Sequence, residues 1–432
     1  MGSRAATSRK RCFGNLAALN EHCRGYRYRI LYCDMAFATS CASATPLAAL
    51  GVVSSWQYRE RRDAVRTTWM QYPEVLCGEI FVRFVIARPA TKADEQSLRA
   101  EVDGVDDVLT LDGRNIGRAF SPLQSTYAWF RYASARAPFN RAAYVGKTDD
   151  DVFIKVPDFR LHLELMRSEP KTAPERPLYY GMFFSAKYKP ASLEHVAHAY
   201  DLASAGEKAI NCTHSGECTD AFVHTTGALQ LVSRSLASTI ASDARVNESI
   251  LHSYALYEAQ PDAKRPPALE DVWLGFALYA LLPPTVAITL VKIDRWLHYF
   301  DTANLAMRNS TMLVHFMTGK HPLMYEVAYR YARLHKAACS TTQLQCSPFN
   351  APGCVSRPDS PWYNAQCEAR RRRQASRYAA ECRLVERFDE ARNCTRRHMS
   401  PESLWNGWRG GLTKASQTLV NESEASLFRR GG

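Results

Sequence analysis

The chain has 432 residues, 46% hydrophobic and 23% charged, with a formal net charge of +12. This balance excludes a disordered or low-complexity chain and leaves room for one large α/β domain with extensions, or for two domains. The basic excess gathers near the ends, in residues 1–30 and in the run CEARRRRQASRYAAEC. It reads either as solvated faces or as patches that attract nucleic acid or membrane.

The first candidate element is the uncharged stretch from Met35 to Ser55, which follows the basic RGYRYRI as an N-in signal anchor would. Ser and Thr dilute it, Asp34 interrupts its upstream extension, and its second half, PLAALGVVSS, reads as a buried strand. Residues 1–45 are therefore expected to be a basic N-terminal segment, a vestigial or incomplete anchor. From residue 46 the pattern alternates. LAALGVVSS, EIFVRFVIARP and DDVLTLD read as strands. QYRERRDAVRTTWM, ADEQSLRAEVDG and SPLQSTYAWFRYASAR read as the helices between them, the last opening on Ser121 and Pro122. AAYVGKTDDDVFI is a fourth strand running into a turn. Such alternation predicts βαβ units and a mostly parallel sheet, with ligands at the carboxyl ends of its strands. Further on, PLYYGMFF is a strand, AFVHTTGALQLVSRSLAS a strand, turn and helix, and LEDVWLGFALYALL a helix ended by Pro283 and Pro284. NSTMLVHFM is a late strand carrying His315.

Thirteen cysteines occur, and Cys339, Cys346, Cys354, Cys367, Cys382 and Cys394 follow position 330 without a C-x-x-C pair. That favours disulfides in an oxidising compartment over a zinc ribbon. Five N-x-S/T sequons, at Asn211, Asn247, Asn309, Asn393 and Asn421, point the same way. The tail reads as a separate, stapled and basic appendage over residues 336–432, leaving 46–335 as the main α/β domain.

The chemistry concentrates at Asp149, Asp150 and Asp151. In extended backbone two of the three point one way and one the other. Crowded carboxylates resist ionisation unless a cation neutralises them, and Mg²⁺ or Mn²⁺ suits such oxygen donors. A turn or helix cap is the bland alternative. Glu270 and Asp271 open a helix, where capping explains one acid and a general base facing a cleft would explain the other. His315 is either a satisfied core histidine or a metal ligand.

In order and spacing, RRDAVRTTW, KTDDDVFI, LEDVWLG and MLVHFMTGKHP resemble glycosyltransferase family 31, the inverting β-1,3-galactosyl- and N-acetylglucosaminyltransferases, over roughly residues 46–333. GKTDDDVFIKVPDF and STYAWFRYASAR are most similar to the trypanosomatid-type branch. The resemblance implies a GT-A fold, a Rossmann-like mostly parallel sheet, with a Cys-rich C-terminal extension. It implies a UDP-sugar donor, UDP-galactose or UDP-N-acetylglucosamine, and an acceptor glycan on a glycoprotein or glycolipid. Asp151 and His315 would hold Mn²⁺ or Mg²⁺, Asp149 and Asp150 would contact the ribose or the metal's waters, and Asp271 would be the general base. Arg61, Arg62 and Arg66 would approach the nucleotide. A membrane-associated Golgi enzyme facing the lumen is implied, with no nucleic-acid partner. HTTGALQLVS departs from the family's glycine-rich sugar segment at Thr225 and Thr226, which keeps open a catalytically inactive glycan- or nucleotide-sugar-binding protein on the same fold.

Overall fold

The computed structural model describes residues 45–89, 91–103, 105–114, 121–189, 194–199, 219–259, 270–293, 298–299, 311–315, 325, 328–329, 340–352 and 360–388. The chain opens with β1 (Ala48–Ser54), α1 (Arg59–Thr67), the short α2 (Pro73–Leu76), β2 (Ile80–Arg88), α3 (Lys92–Val102), β3 (Val108–Arg114) and α4 (Ser121–Ala135). The expected strand over AAYVGKTDDDVFI is two, β4 (Tyr144–Asp149) and β5 (Phe153–Ile154), separated by a turn at Asp150 and Asp151. Then follow α5 (Val156–Ser168), β6 (Leu178–Gly181), β7 (Phe183–Lys189), β8 (Glu194–Ala199), β9 (Phe222–Thr225), β10 (Leu229–Ser233), α6 (Arg234–Ser242) and α7 (Ala244–Ala259). The helix α8 (Glu270–Phe276) runs into a π-helical turn, Ala277–Leu281, before β11 (Ile288–Lys292), β12 (His298–Tyr299) and β13 (Leu313–Val314). The last elements are β14 (Ser340–Pro348), α9 (Pro361–Arg377) and β15 (Tyr378–Phe388).

Nine strands form the central sheet in the order β14-β15-β11-β6-β10-β4-β1-β2-β3. β3, β2, β1 and β4 are parallel neighbours, as the βαβ pattern predicts. β10 runs antiparallel between β4 and β6, and β6, β11 and β15 are again parallel. Successive residues of a central strand face opposite layers, so Leu50 and Val52 join a core with Trp69, Phe84 and Phe159, while Ala49 joins Val85, Trp129, Phe130 and Trp273 on the other side. Local signals place the helix starts: Thr91 accepts from the Asp94 amide ahead of α3, and Ser233 accepts from the Leu236 amide ahead of α6.

The C-terminal segment differs from the expected appendage. Residues 340–388 give β14 and β15 to the main sheet, with β15 paired to β11. Cys346 and Cys382 stand opposite each other across these strands and form a disulfide; Cys367 is disulfide-bonded too. Arg377 donates to the carbonyls of Leu282, Pro283 and Val286, satisfying the end of the α8 turn. Gln374 donates to the Ala221 carbonyl, and the Tyr378 hydroxyl accepts from the Val223 amide. The segment therefore grips β9 at both its start and its middle. The anchor expectation over residues 1–44 and the cysteines Cys339, Cys354 and Cys394 lie outside the described residues. Of the five sequon asparagines only Asn247 is described; it sits on α7, and its side-chain oxygen accepts from the Tyr127 hydroxyl.

Candidate active site

β4 carries its charged residues to the carboxyl end of the sheet, the location the strand-order rule gives to ligands. Asp149, at the end of β4, and Asp151, in the turn, face His315, while Asp150 faces Arg61 and Ser54. His315 arrives through β13: Val314 pairs with Phe153, so the residue after Val314 lies beside the Asp150–Asp151 turn. His315 Nε2 is 3.6 Å from Asp151 Oδ1 and 3.8 Å from Asp149 Oδ2. One donor atom from each of Asp149, Asp151 and His315 falls within 4.8 Å of the others. Two carboxylates and one imidazole, converging from two elements, fit a divalent cation.

The acidic turn is held rigidly. Trp69 Nε1 donates to the Val152 carbonyl and Tyr325 donates to the Asp150 carbonyl. Asp150 accepts from Ser54 Oγ at 2.8 Å and from Arg61 Nη1 at 2.9 Å. The Arg61 guanidinium also lies over the Tyr58 ring at 3.7 Å. Burial raises the Asp150 carboxyl above its ordinary range, with Arg61 and Ser54 pulling against it.

The other two arginines go elsewhere. Arg62 is fully buried. Its five N–H groups meet Glu101 twice, Ser54 Oγ and the carbonyls of Ser55 and Trp56. A guanidinium has five donors, so none remains for a nucleotide, and the expected contact is replaced by a strut between β1, α1 and α3. Arg66 is bound by Asp107, Asp63 and Glu101. Burial works against its charge, but those carboxylates outweigh it and hold the guanidinium above its ordinary range. Of the three, the structure brings only Arg61 to the aspartates.

Lys147, two residues before Asp149, was assigned no role from sequence. Its side chain is fully buried, and Nζ donates to Asp149 Oδ1 at 2.7 Å and Glu270 Oε1 at 2.9 Å. The available signal was a lysine in the apolar strand AAYVGK, since a buried ammonium demands carboxylate partners. Burial pushes the Asp149 carboxyl up to about 8, with Glu270 and Asp151 adding and Lys147 opposing. Glu270 is held below its ordinary range because Lys147 outweighs burial. Asp271, the next residue, has no such bond. Burial pushes it up to about 7, and the Glu270 charge adds to the effect. Its Oδ1 accepts from the Val272 amide, and Oδ2 lies 4.0 Å from His224 Nδ1.

The TTG turn closes this cluster. Thr148 Oγ1 donates to the Ala228 carbonyl, and the antiparallel register of β10 sets the turn beside Asp149. A Cβ on Gly227 would lie 2.8 Å from Asp149 Oδ2 and 3.1 Å from Glu270 Oε1. Gly227 is thus a close-approach glycine. Thr225 Oγ1 is instead bonded to the Tyr179 hydroxyl, behind the strand. Gly275 on α8 has the same need for space, because its Cβ would fall 2.5 Å from the His224 Cβ.

Residues 60–252 match the family model described as Galactosyltransferase. "Probable beta-1,3-galactosyltransferase 4" of Arabidopsis thaliana is 29% identical over 217 residues, covering 48% of this chain and 47% of that protein. "Hydroxyproline O-galactosyltransferase GALT2" of the same plant is 27% identical over 132 residues, 31% of this chain and 18% of its own length. The chain spans about half or less of the length of these curated relatives. Among solved structures, the galactosyltransferase LgtC matches at a TM-score of 0.31 and 11% identity, covering 62% of this chain and 87% of that one. The mannosyltransferase Ktr4p from S. cerevisiae matches at 0.31 and 9%, covering 57% and 68%. The match over residues 60–252 agrees with the resemblance to glycosyltransferase family 31. With its mostly parallel Rossmann-like sheet and acidic strand end the chain has the GT-A fold. The plant relatives do not bear on the narrower trypanosomatid-type branch.

Proposed function

We propose that this chain is a metal-dependent inverting hexosyltransferase that moves galactose from UDP-galactose to a hydroxyl of an acceptor glycan, forming a β-1,3 linkage. The observation that carries the reading is the convergence of His315 on Asp149 and Asp151, two aspartates within the stretch 60–252 that matches the galactosyltransferase model. The relatives' names favour galactose over N-acetylglucosamine. Asp149, Asp151 and His315 would hold Mn²⁺; the ion would neutralise charge on the departing diphosphate. Asp150, oriented by Arg61 and Ser54, lines the nucleotide side. Asp271 takes the proton of the attacking hydroxyl, and a proton affinity near 7 suits that work at neutral pH. A single displacement from the face opposite UDP inverts the anomeric centre and needs no enzyme nucleophile. Glu270 is not the base, because Lys147 already occupies its Oε1.

The Cys346–Cys382 disulfide supports an oxidising compartment, and we place the enzyme on the lumenal side of the Golgi membrane. Among the described residues no helix is long and apolar enough to cross a membrane, so an anchor would lie elsewhere.

The test is release of UDP from UDP-galactose, UDP-N-acetylglucosamine and UDP-glucose by purified protein, with Mn²⁺ or with chelator. UDP-galactose turnover is expected, abolished by chelator, Asp151→Asn or Asp271→Asn. Folded protein that binds Mn²⁺ yet turns over no donor would overturn the transferase reading in favour of a glycan- or nucleotide-sugar-binding protein.

A further inference from the structure

We propose that Lys147 is a positioning residue that locks the rotation of Asp149 and ties it to the helix bearing Asp271. This rests on the metal-dependent reading above. Lys147 and Asp149 lie two apart on β4 and so share a face of the strand. The ammonium is fully buried and bonded to one oxygen of Asp149 and one of Glu270. An ammonium so deep must be paired, so these bonds are obligatory.

The bonds divide the labour of the acids. Asp149 Oδ1 is held by Lys147, which leaves Oδ2 as the oxygen facing His315 and the Gly227 turn. Asp149 can therefore offer the cation one oxygen in one direction. Glu270 Oε1 is held by the same ammonium, which fixes the first residue of α8 against β4. Asp271 is the next residue on that helix. Lys147 thus sets the spacing between the cation site and the base through two short bonds, and neither bond touches a substrate.

The geometry and simple charge predict opposite signs. As a charge alone, Lys147 repels a nearby divalent ion, so Lys147→Met would tighten Mn²⁺ binding. As the lock on Asp149, its loss weakens binding, by about 10- to 100-fold for a residue that orients a metal ligand. The experiment measures free Mn²⁺ by EPR during titration of the full chain, alongside thermal melting. Lys147→Met is expected to lower Mn²⁺ affinity at least about tenfold. Mn²⁺ bound as tightly as, or more tightly than, by the parent overturns the proposal. The strut is tested from its other end with Glu270→Gln and Glu270→Ala. The amide oxygen of Gln still accepts from the ammonium, so its loss of Mn²⁺ affinity stays small. Ala leaves the ammonium wholly on Asp149, so its loss is larger, about tenfold. Should Lys147→Met not fold, equal Mn²⁺ affinities in the two Glu270 variants overturn the strut on their own. If the parent binds Mn²⁺ but transfers no sugar, the transferase reading fails while this order of affinities still decides the role of Lys147. A parent that binds no Mn²⁺ removes both.

Discussion

Replacing Gly227 by alanine tests whether the turn between β9 and β10 is built around the acidic cluster. The backbone at Gly227 lies outside the left-handed region, so alanine meets no conformational penalty there. The whole effect is contact. The new methyl would lie 2.8 Å from Asp149 Oδ2, 3.1 Å from Glu270 Oε1 and 3.2 Å from Lys147 Nζ. None of these neighbours can swing aside, because each is bonded to another: Lys147 holds both carboxylates. Overpacking of a filled site costs about 1–3 kcal/mol. The first atom displaced is Asp149 Oδ2, the oxygen turned toward His315. If the strain falls on that oxygen, Mn²⁺ affinity drops by roughly 5- to 150-fold, at about 1.4 kcal/mol per factor of ten. The assay is Mn²⁺ titration followed by EPR, with thermal melting to confirm that Gly227→Ala remains folded. Parental Mn²⁺ affinity in a folded variant would refute the reasoning, since Asp149 could not then be confined as described.

Arg62→Met should destabilise the fold by about 2–3 kcal/mol in denaturant melts, because Glu101 keeps only Arg66 and the Ser55 and Trp56 carbonyls lose their donor. Arg377→Ala strips donors from three carbonyls at the end of α8, and a loss of about 2–4 kcal/mol is expected in the same melts. Transfer measured as kcat/KM should rise with pH through about 7, as Asp271 loses its proton, and Asp271→Asn should remove what activity remains to titrate. Stability moves the other way. The folded chain keeps the Asp271 proton that the unfolded chain releases at about 4, so stability falls as pH rises from about 4 to about 7 and is level in this respect above it. A melting curve for Asp271→Asn with the same fall over that window would refute the assignment.

The centre of the parallel half of the sheet was legible because its strands are buried almost throughout and read as apolar runs between helical patterns. Ala48–Ser54 and Ile80–Arg88 follow that form. β15 was not legible, for the same physical reason seen from the other side. It lies near the sheet edge, so its buried residues, Tyr378, Ala380, Cys382 and Leu384, alternate with the more exposed Ala379, Glu381 and Arg383 in YAAECRLVERF. Beside the run of arginines in α9 this looked like a basic tail. No local pattern reveals that a strand about ninety residues after β11 returns to pair with it, because that pairing is decided by the exposed edge β11 would otherwise leave.

The site divides along a similar line. The three aspartates and His315 stood out because like charges beside apolar runs need a reason. The arginines of RRDAVRTTW stood out equally, yet Arg62 and Arg66 spend their donors on Glu101, Asp63 and Asp107. Asp63 is one helical turn before Arg66 on α1, but Glu101 on α3 and Asp107 just ahead of β3 lie about forty residues away, and no spacing in the sequence announces them. Lys147 was the converse case, an unremarked residue whose importance depends on Glu270 lying within 3 Å. A charged side chain in an apolar strand states only that a counter-charge must exist. Which acid supplies it decides whether the pair is a brace or part of the chemistry. Here one of its two acids faces the candidate cation site and the other begins the helix of the proposed base, so the brace and the chemistry share one ammonium.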